Sequence, residues 1–192
     1  MRARDNPFRT EQILKVRYRI PRGDWDALLA RFDALGRRAA IVGPQGSGKT
    51  TLLEDLAPLF RGRGFTVHEL RLDTDSPRFD PAFLAGLFET VGARDVLLFD
   101  GAEQLDRGEW LRFDRGTRSA GGLLVTSHQP GLLPTLLETS TSPELLSQLV
   151  EELLGEQAGK GRPLVPGLFE KHGGNLREAL RELYDHYAGV EA

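Results

Sequence analysis

The chain contains no cysteine, which excludes a disulfide framework, a thiolate zinc site and a cysteine nucleophile. Lysine is scarce: it stands at Lys15, Lys49, Lys160 and Lys171, and arginine supplies the rest of the 25 basic residues. Long apolar runs are missing. The longest, such as Val96–Phe99 and Leu123–Val125, fall far short of the roughly 20 residues a membrane helix requires, so no membrane partner is expected. No basic, hydrophobic, small-residue signal opens the sequence, and the expected location is the cytoplasm. Internal repeats and low-complexity linkers are absent as well. What is there is a globular composition: 192 residues, 40% hydrophobic and 28% charged, with a mean hydropathy of −0.33. A chain of this length buries roughly 70% of its unfolded surface and needs no covalent staple.

The net charge of −3 is unevenly spread. Arg2, Arg4, Arg9, Lys15, Arg17, Arg19 and Arg22 crowd the start against Asp5 and Glu11, whereas Glu138, Glu144, Glu151, Glu152, Glu156, Glu170, Glu178, Glu182, Asp185 and Glu191 make the end acidic. Residues 1–23 therefore read as a basic arm. Such an arm suits DNA, through residues 2–22, or an acidic face of another subunit; a solvated extension is the plainer reading.

Periodicity orders the rest. Trp25, Leu28, Leu29, Phe32 and Leu35 recur at helical spacing before Gly36. Strands are expected at Arg38–Val42, Phe65–Leu72, Asp95–Asp100, Gly122–Thr126 and Thr135–Thr139, with helices between them at about Lys49–Phe60, Pro81–Val91 and Glu103–Arg115. Alternating strands and helices predict an α/β fold, a parallel sheet covered on both faces, over residues 24–140. From residue 141 onward the pattern is helical only. Ser142-Pro143-Glu144 opens one helix, and two more are expected near Pro166–Lys171 and Asn175–Tyr187, a small α-helical lid.

Gly43-Pro44-Gln45-Gly46-Ser47-Gly48-Lys49-Thr50 fits the phosphate-loop pattern G-x-x-x-x-G-K-[ST] without a mismatch. Its glycines let the backbone wrap and turn its N–H groups toward phosphate oxygens, and the following helix adds its free amides and dipole. Lys49 is expected to reach the β- and γ-phosphates, Thr50 to ligate Mg²⁺, and Thr51 to lie beside the α-phosphate. The required strand and helix flank the loop on either side. Val96-Leu97-Leu98-Phe99-Asp100 then delivers a carboxylate to the end of a buried strand, the Walker B arrangement, where Asp100 is expected to hold Mg²⁺ through water. Two later segments have chemistry to offer. Leu123-Leu124-Val125-Thr126-Ser127-His128 ends a strand in small polar side chains; Gly173-Gly174-Asn175-Leu176-Arg177-Glu178 opens the last helix with an arginine in its first turn. The macrodipole disfavours a cation there, and a ligand phosphate explains it.

Over residues 24 to 188 the chain resembles a minimal AAA+ ATPase, on the origin-recognition, clamp-loader and transposition-helper side of that superfamily. The resemblance implies a P-loop NTPase with a five-stranded parallel sheet, a C-terminal helical lid and ATP with Mg²⁺ as ligands. It implies sensor roles at the γ-phosphate for Thr126 and Arg177. In many such ATPases a glutamate follows the Walker B aspartate and activates water, but Gly101 stands here. The nearest acid, Glu103, either acts as general base or caps the helix that begins there, so hydrolysis is expected to be slow or dependent on a partner. No arginine lies between Thr126 and Thr139, where relatives place a trans-acting finger, and Asp73, Asp75, Pro77 and Phe79 replace an aromatic pore loop. A ring hexamer is therefore not expected. The leading expectation is an ATP-dependent switch read by a protein partner. A DNA-associated helper using the basic arm and a small-molecule or nucleotide kinase stand as alternatives.

Overall fold

A computed structural model describes residues 6–13, 16–20, 24–155 and 165–189, the side chain of Pro166 excepted. Arg2, Arg4, Lys15 and Arg22 of the basic arm lie outside the described residues. Five parallel strands, β1 (Arg38–Val42), β2 (Thr66–Arg71), β3 (Asp95–Asp100), β4 (Gly122–Ser127) and β5 (Thr135–Glu138), form one sheet in the order β2-β3-β4-β1-β5. The first strand thus has β4 and β5 as its neighbours, and β2 lies at the far edge. That order sets the carboxyl ends of β1, β4 and β3 side by side, where open α/β sheets bind ligands.

Chain contacts group into two compact units, one formed by Tyr18–Gly43 and Lys49–Glu138, the other by Met1–Arg17, Pro44–Gly48 and Thr139–Ala192. In the first, strand alternation explains the layering. Ala39, Ile41, Val96, Leu98 and Leu124 face α2 (Trp25–Ala34) and α3 (Lys49–Gly62), packing on Leu28, Phe32, Leu52, Leu56 and Phe60. Their strand neighbours Ala40, Val42, Leu97, Phe99, Leu123 and Val125 point the other way, onto Leu87 of α4 (Pro81–Thr90) and Trp110 and Phe113 of α5 (Arg107–Gly116). The inner strands β1, β3 and β4 are largely apolar on both sides because helices cover both sides, whereas the edge strand β2 carries His68, Glu69 and Arg71.

The second unit is helical. It contains α1 (Thr10–Ile13), α6 (Pro143–Leu154), α7 (Val165–Lys171) and α8 (Leu176–Ala188). Leu146, Val150, Leu168, Leu176, Ala179, Leu180 and Leu183 form its core together with Phe8. Asn6 donates its side-chain amide to the carbonyl of Tyr184 at 2.8 Å, and the Phe8 ring lies 5.2 Å from that of Tyr187. The Asn6-Pro7-Phe8 segment is therefore anchored on α8.

One expected element is divided. The helix anticipated over Glu103–Arg115 is a short 3-10 turn, Ala102–Gln104, followed by α5. Asp106 stops the first and starts the second: its carboxylate accepts the Glu109 N–H, and the Glu109 side chain accepts the Asp106 N–H, a complete capping box. Among the described residues, no helix is long and apolar enough to cross a membrane.

Candidate functional site

Three hydroxyl and carboxyl side chains meet at the strand ends. Thr50, in the first turn of α3, donates its hydroxyl to Asp100 Oδ2 at 2.9 Å. Thr126, at the end of β4, donates to Asp100 Oδ1 at 2.6 Å. The same Thr126 oxygen accepts the Gly101 N–H at 2.8 Å. The register explains the meeting: Phe99 lies opposite Val125, so the next residues, Asp100 and Thr126, adjoin across the strand pair. Thr126 is 1% exposed, and its hydroxyl both bridges and orients the carboxylate. Arg71, from the end of β2, stands 3.7 Å from the same Asp100 oxygen that Thr50 engages.

A cavity of about 90 Å³ opens beside this group, with Thr50, Glu54, Glu69, Arg71 and Asp100 in its lining. Desolvation pushes the Glu54 carboxyl above its ordinary range; Arg71 opposes this, and the charges of Asp100, Glu69 and Asp55 add to it. Carboxylates thus outnumber the guanidinium in this lining, and the negative potential suits a divalent cation. Thr50 and Asp100 fit Mg²⁺ in particular, which takes hard oxygen donors and commonly uses one or two protein groups alongside phosphates and water. No cluster of three or more histidine or acidic side chains competes as an all-protein cage among the described residues.

The phosphate loop is divided between the units. In the sheet unit, Gly43 donates its N–H to the Ser127 carbonyl at 3.1 Å, and the Lys49 ammonium donates to the Gly43 carbonyl at 2.7 Å. Lys49 is 8% exposed. Thr51 follows Thr50 in the first turn of α3. In the helical unit, Pro44 and Gln45 are exposed, and Gly46 and Gly48 take left-handed conformations at φ +74° and +87°. Ser47 is buried and donates its hydroxyl to the Pro44 carbonyl at 2.7 Å. Asn175, the cap of α8, lies directly against Gly46. Two residues on, Arg177 is exposed in the first turn of α8, its backbone N–H bound to the Asn175 side chain at 3.1 Å. The loop and the start of α8 are thus neighbours within one unit.

Gly101 has a reason to be glycine. Its φ is +87°, and a Cβ at that position meets the Leu72 carbonyl oxygen at 2.1 Å. An acid directly after Asp100 is sterically excluded. Glu103 instead sits in the 3-10 turn, 3.3 Å from His128 Nε2 through one oxygen. Its other oxygen is buried with no hydrogen-bond partner among the described residues, an acceptor of the kind that a ligand or ordered water completes. The partnership of His128 was not visible in the sequence. The one signal was positional: His128 follows β4 as Glu103 follows β3, and those strands are neighbours.

No family model matches the chain. Two solved structures of variants of Thermotoga maritima RuvB superpose with TM-scores of 0.54 at 16% identity, over 83% and 82% of this chain and 61% and 58% of theirs. This likeness establishes the P-loop NTPase fold. Over 62 residues the chain is 47% identical to the molybdenum import ATP-binding protein ModC of Mesorhizobium japonicum, a stretch covering 31% of this chain and 16% of ModC. The chain therefore spans less than two thirds of each of these proteins.

Proposed function

We propose that this chain is an AAA+-like ATPase that binds ATP with Mg²⁺, hydrolyses it slowly, and serves as a nucleotide-dependent switch for a protein partner. The observation that carries the reading is the hydrogen-bonded group Thr50–Asp100–Thr126, fixed at the strand ends and continuous with a complete phosphate-loop sequence. The ATP-binding character of the name ModC supports it over the matched stretch. The loop amides and Lys49 hold the phosphates. Thr50 and Asp100 hold Mg²⁺, which when bound neutralises phosphate charge. Thr126 keeps Asp100 turned toward Thr50. Arg177, exposed in the first turn of α8, answers the γ-phosphate.

Slow turnover follows from two features. Gly101 cannot be replaced by the acid that activates water in faster relatives. Glu103, the acid that can serve, is engaged by His128. Glu103→Gln lowers steady-state ATP turnover by about 10²- to 10⁴-fold, the usual contribution of a positioned general base, while saturable ATP binding persists. Turnover equal to the unsubstituted chain assigns the base elsewhere. Asp100→Asn weakens the Mg²⁺ dependence of ATP binding about 10-fold or more, a charged hydrogen-bonded ligand having been neutralised; ATP titrations at varied Mg²⁺ read this, and an unchanged Mg²⁺ requirement contradicts the metal role.

A further inference from the structure

The shape of the phosphate loop is set by side chains from far along the chain. Ser47 Oγ and Thr139 Oγ1 lie 2.6 Å apart, with the residues 2% and 3% exposed. Ser47 has a single hydroxyl proton, which goes to the Pro44 carbonyl. Thr139 is therefore the donor to Ser47, and the order of donation is Thr139 to Ser47 to the Pro44 carbonyl. The second contact is steric. A Cβ on Gly46 would lie 2.0 Å from Asn175 Oδ1, so the amide oxygen occupies the space a side chain at 46 would need. That oxygen is held in place, because it accepts the N–H groups of Arg177 and Glu178 at 3.1 and 3.3 Å. Asn175 cannot withdraw from the loop without uncapping α8.

We propose that Thr139 and Asn175 are positioning residues for the nucleotide phosphates. They hold residues 44–48 in the curved form that presents backbone amides to a phosphate chain, and they make nucleotide affinity a property of the C-terminal helical unit. The proposal rests on the reading of the loop as an ATP site. Linkage is reciprocal: if α8 and Thr139 shape the loop for phosphate, bound phosphate must in turn stabilise the start of α8.

The test uses the full chain, with a fluorescent ATP analogue for affinity and amide hydrogen exchange for the loop. Thr139→Val keeps the side-chain shape and removes the donor. It is expected to weaken nucleotide affinity about 10-fold and to speed exchange of the amides at 45–48 without nucleotide, and Thr139→Ser restores both. Ser47→Ala combined with Thr139→Val is expected to be no weaker than Ser47→Ala alone, because Ser47→Ala already removes the bond to Thr139 along with the one to the Pro44 carbonyl. Nucleotide is expected to slow exchange of the Arg177 and Glu178 amides. Unchanged loop exchange and wild-type affinity in Thr139→Val, or full additivity in the double variant, overturns the positioning role. An unsubstituted chain that binds no nucleotide, together with faster loop exchange in Thr139→Val, overturns the ATP reading and leaves the structural role of Thr139 standing.

Discussion

A Lys49→Met chain is expected to turn over ATP about 10²- to 10³-fold more slowly than the unsubstituted one, the range seen when a single preorganised charge-stabilising donor is removed. Methionine keeps most of the unbranched stem and its packing, so the change isolates the ammonium. That group is nearly buried and bound to the Gly43 carbonyl at 2.7 Å, which fixes it against the first residue of the phosphate loop. Its removal loses a charge-assisted bond but also ends the desolvation of a charge. Folding stability should consequently move far less than turnover. A thermal melt beside the steady-state assay separates the two effects. Full turnover in Lys49→Met removes the lysine from the chemistry, whereas a collapsed melt assigns it a structural role.

The second large effect concerns the residue after Asp100. Introducing the acid that many related ATPases carry there, Gly101→Glu, is expected to destabilise the protein by about 3 kcal/mol or more and to reduce turnover. The left-handed backbone at φ +87° alone costs about 1–2 kcal/mol for a non-glycine residue. The remainder comes from the clash with the Leu72 carbonyl at 2.1 Å. That carbonyl cannot easily move, because the Leu72 N–H is bound to the Asp100 carbonyl at 2.9 Å. Relieving the clash displaces the β2–β3 edge and with it the Asp100 side chain that Thr50 and Thr126 share. For a chain of this size the loss corresponds to a fall of about 6–12 °C in Tm. Gly101→Ala should reproduce most of the shift, since the Cβ itself is the offending atom. Faster turnover in Gly101→Glu with an unchanged melt would contradict the steric role assigned to Gly101 and the proposal that turnover is slow.

Much of this fold could be read from local pattern. The inner strands β1, β3 and β4 announce themselves because they are largely apolar on both faces, and the helix starts because Asp80 and Ser142 each precede a proline and cap the first turn. The placing of the glycine-rich loop between β1 and α3, and of Asp100 at the end of β3, was legible because each depends on residues adjacent in sequence. Three features were not legible. The break between the 3-10 turn and α5 depends on whether Asp106 and Glu109 cap or merely decorate a helix, and their spacing permits both. The pairing of Glu103 with His128 depends on β3 and β4 being neighbours, a matter of strand order that periodicity does not encode. The contacts of Ser47 with Thr139 and of Gly46 with Asn175 span 92 and 129 positions and join the loop to the segment after β5 and to the cap of α8, with no shared pattern. In the last two cases the missing information is tertiary; in the first it is a local choice that spacing alone leaves open.

Arg177 illustrates the intermediate case. Its place in the first turn of α8 was readable from Gly173-Gly174-Asn175, and the structure has α8 begin after Asn175 with that cap formed. Which loop the cap touches was not readable.

The most direct test of the central claim is a titration of the purified chain with ATP, with and without Mg²⁺, followed by calorimetry and repeated with Lys49→Met. Saturable binding that strengthens with Mg²⁺ and is lost or greatly weakened in Lys49→Met is the predicted result. A chain that takes up no ATP under either condition, or a Lys49→Met chain that binds as well as the unsubstituted one, would contradict it.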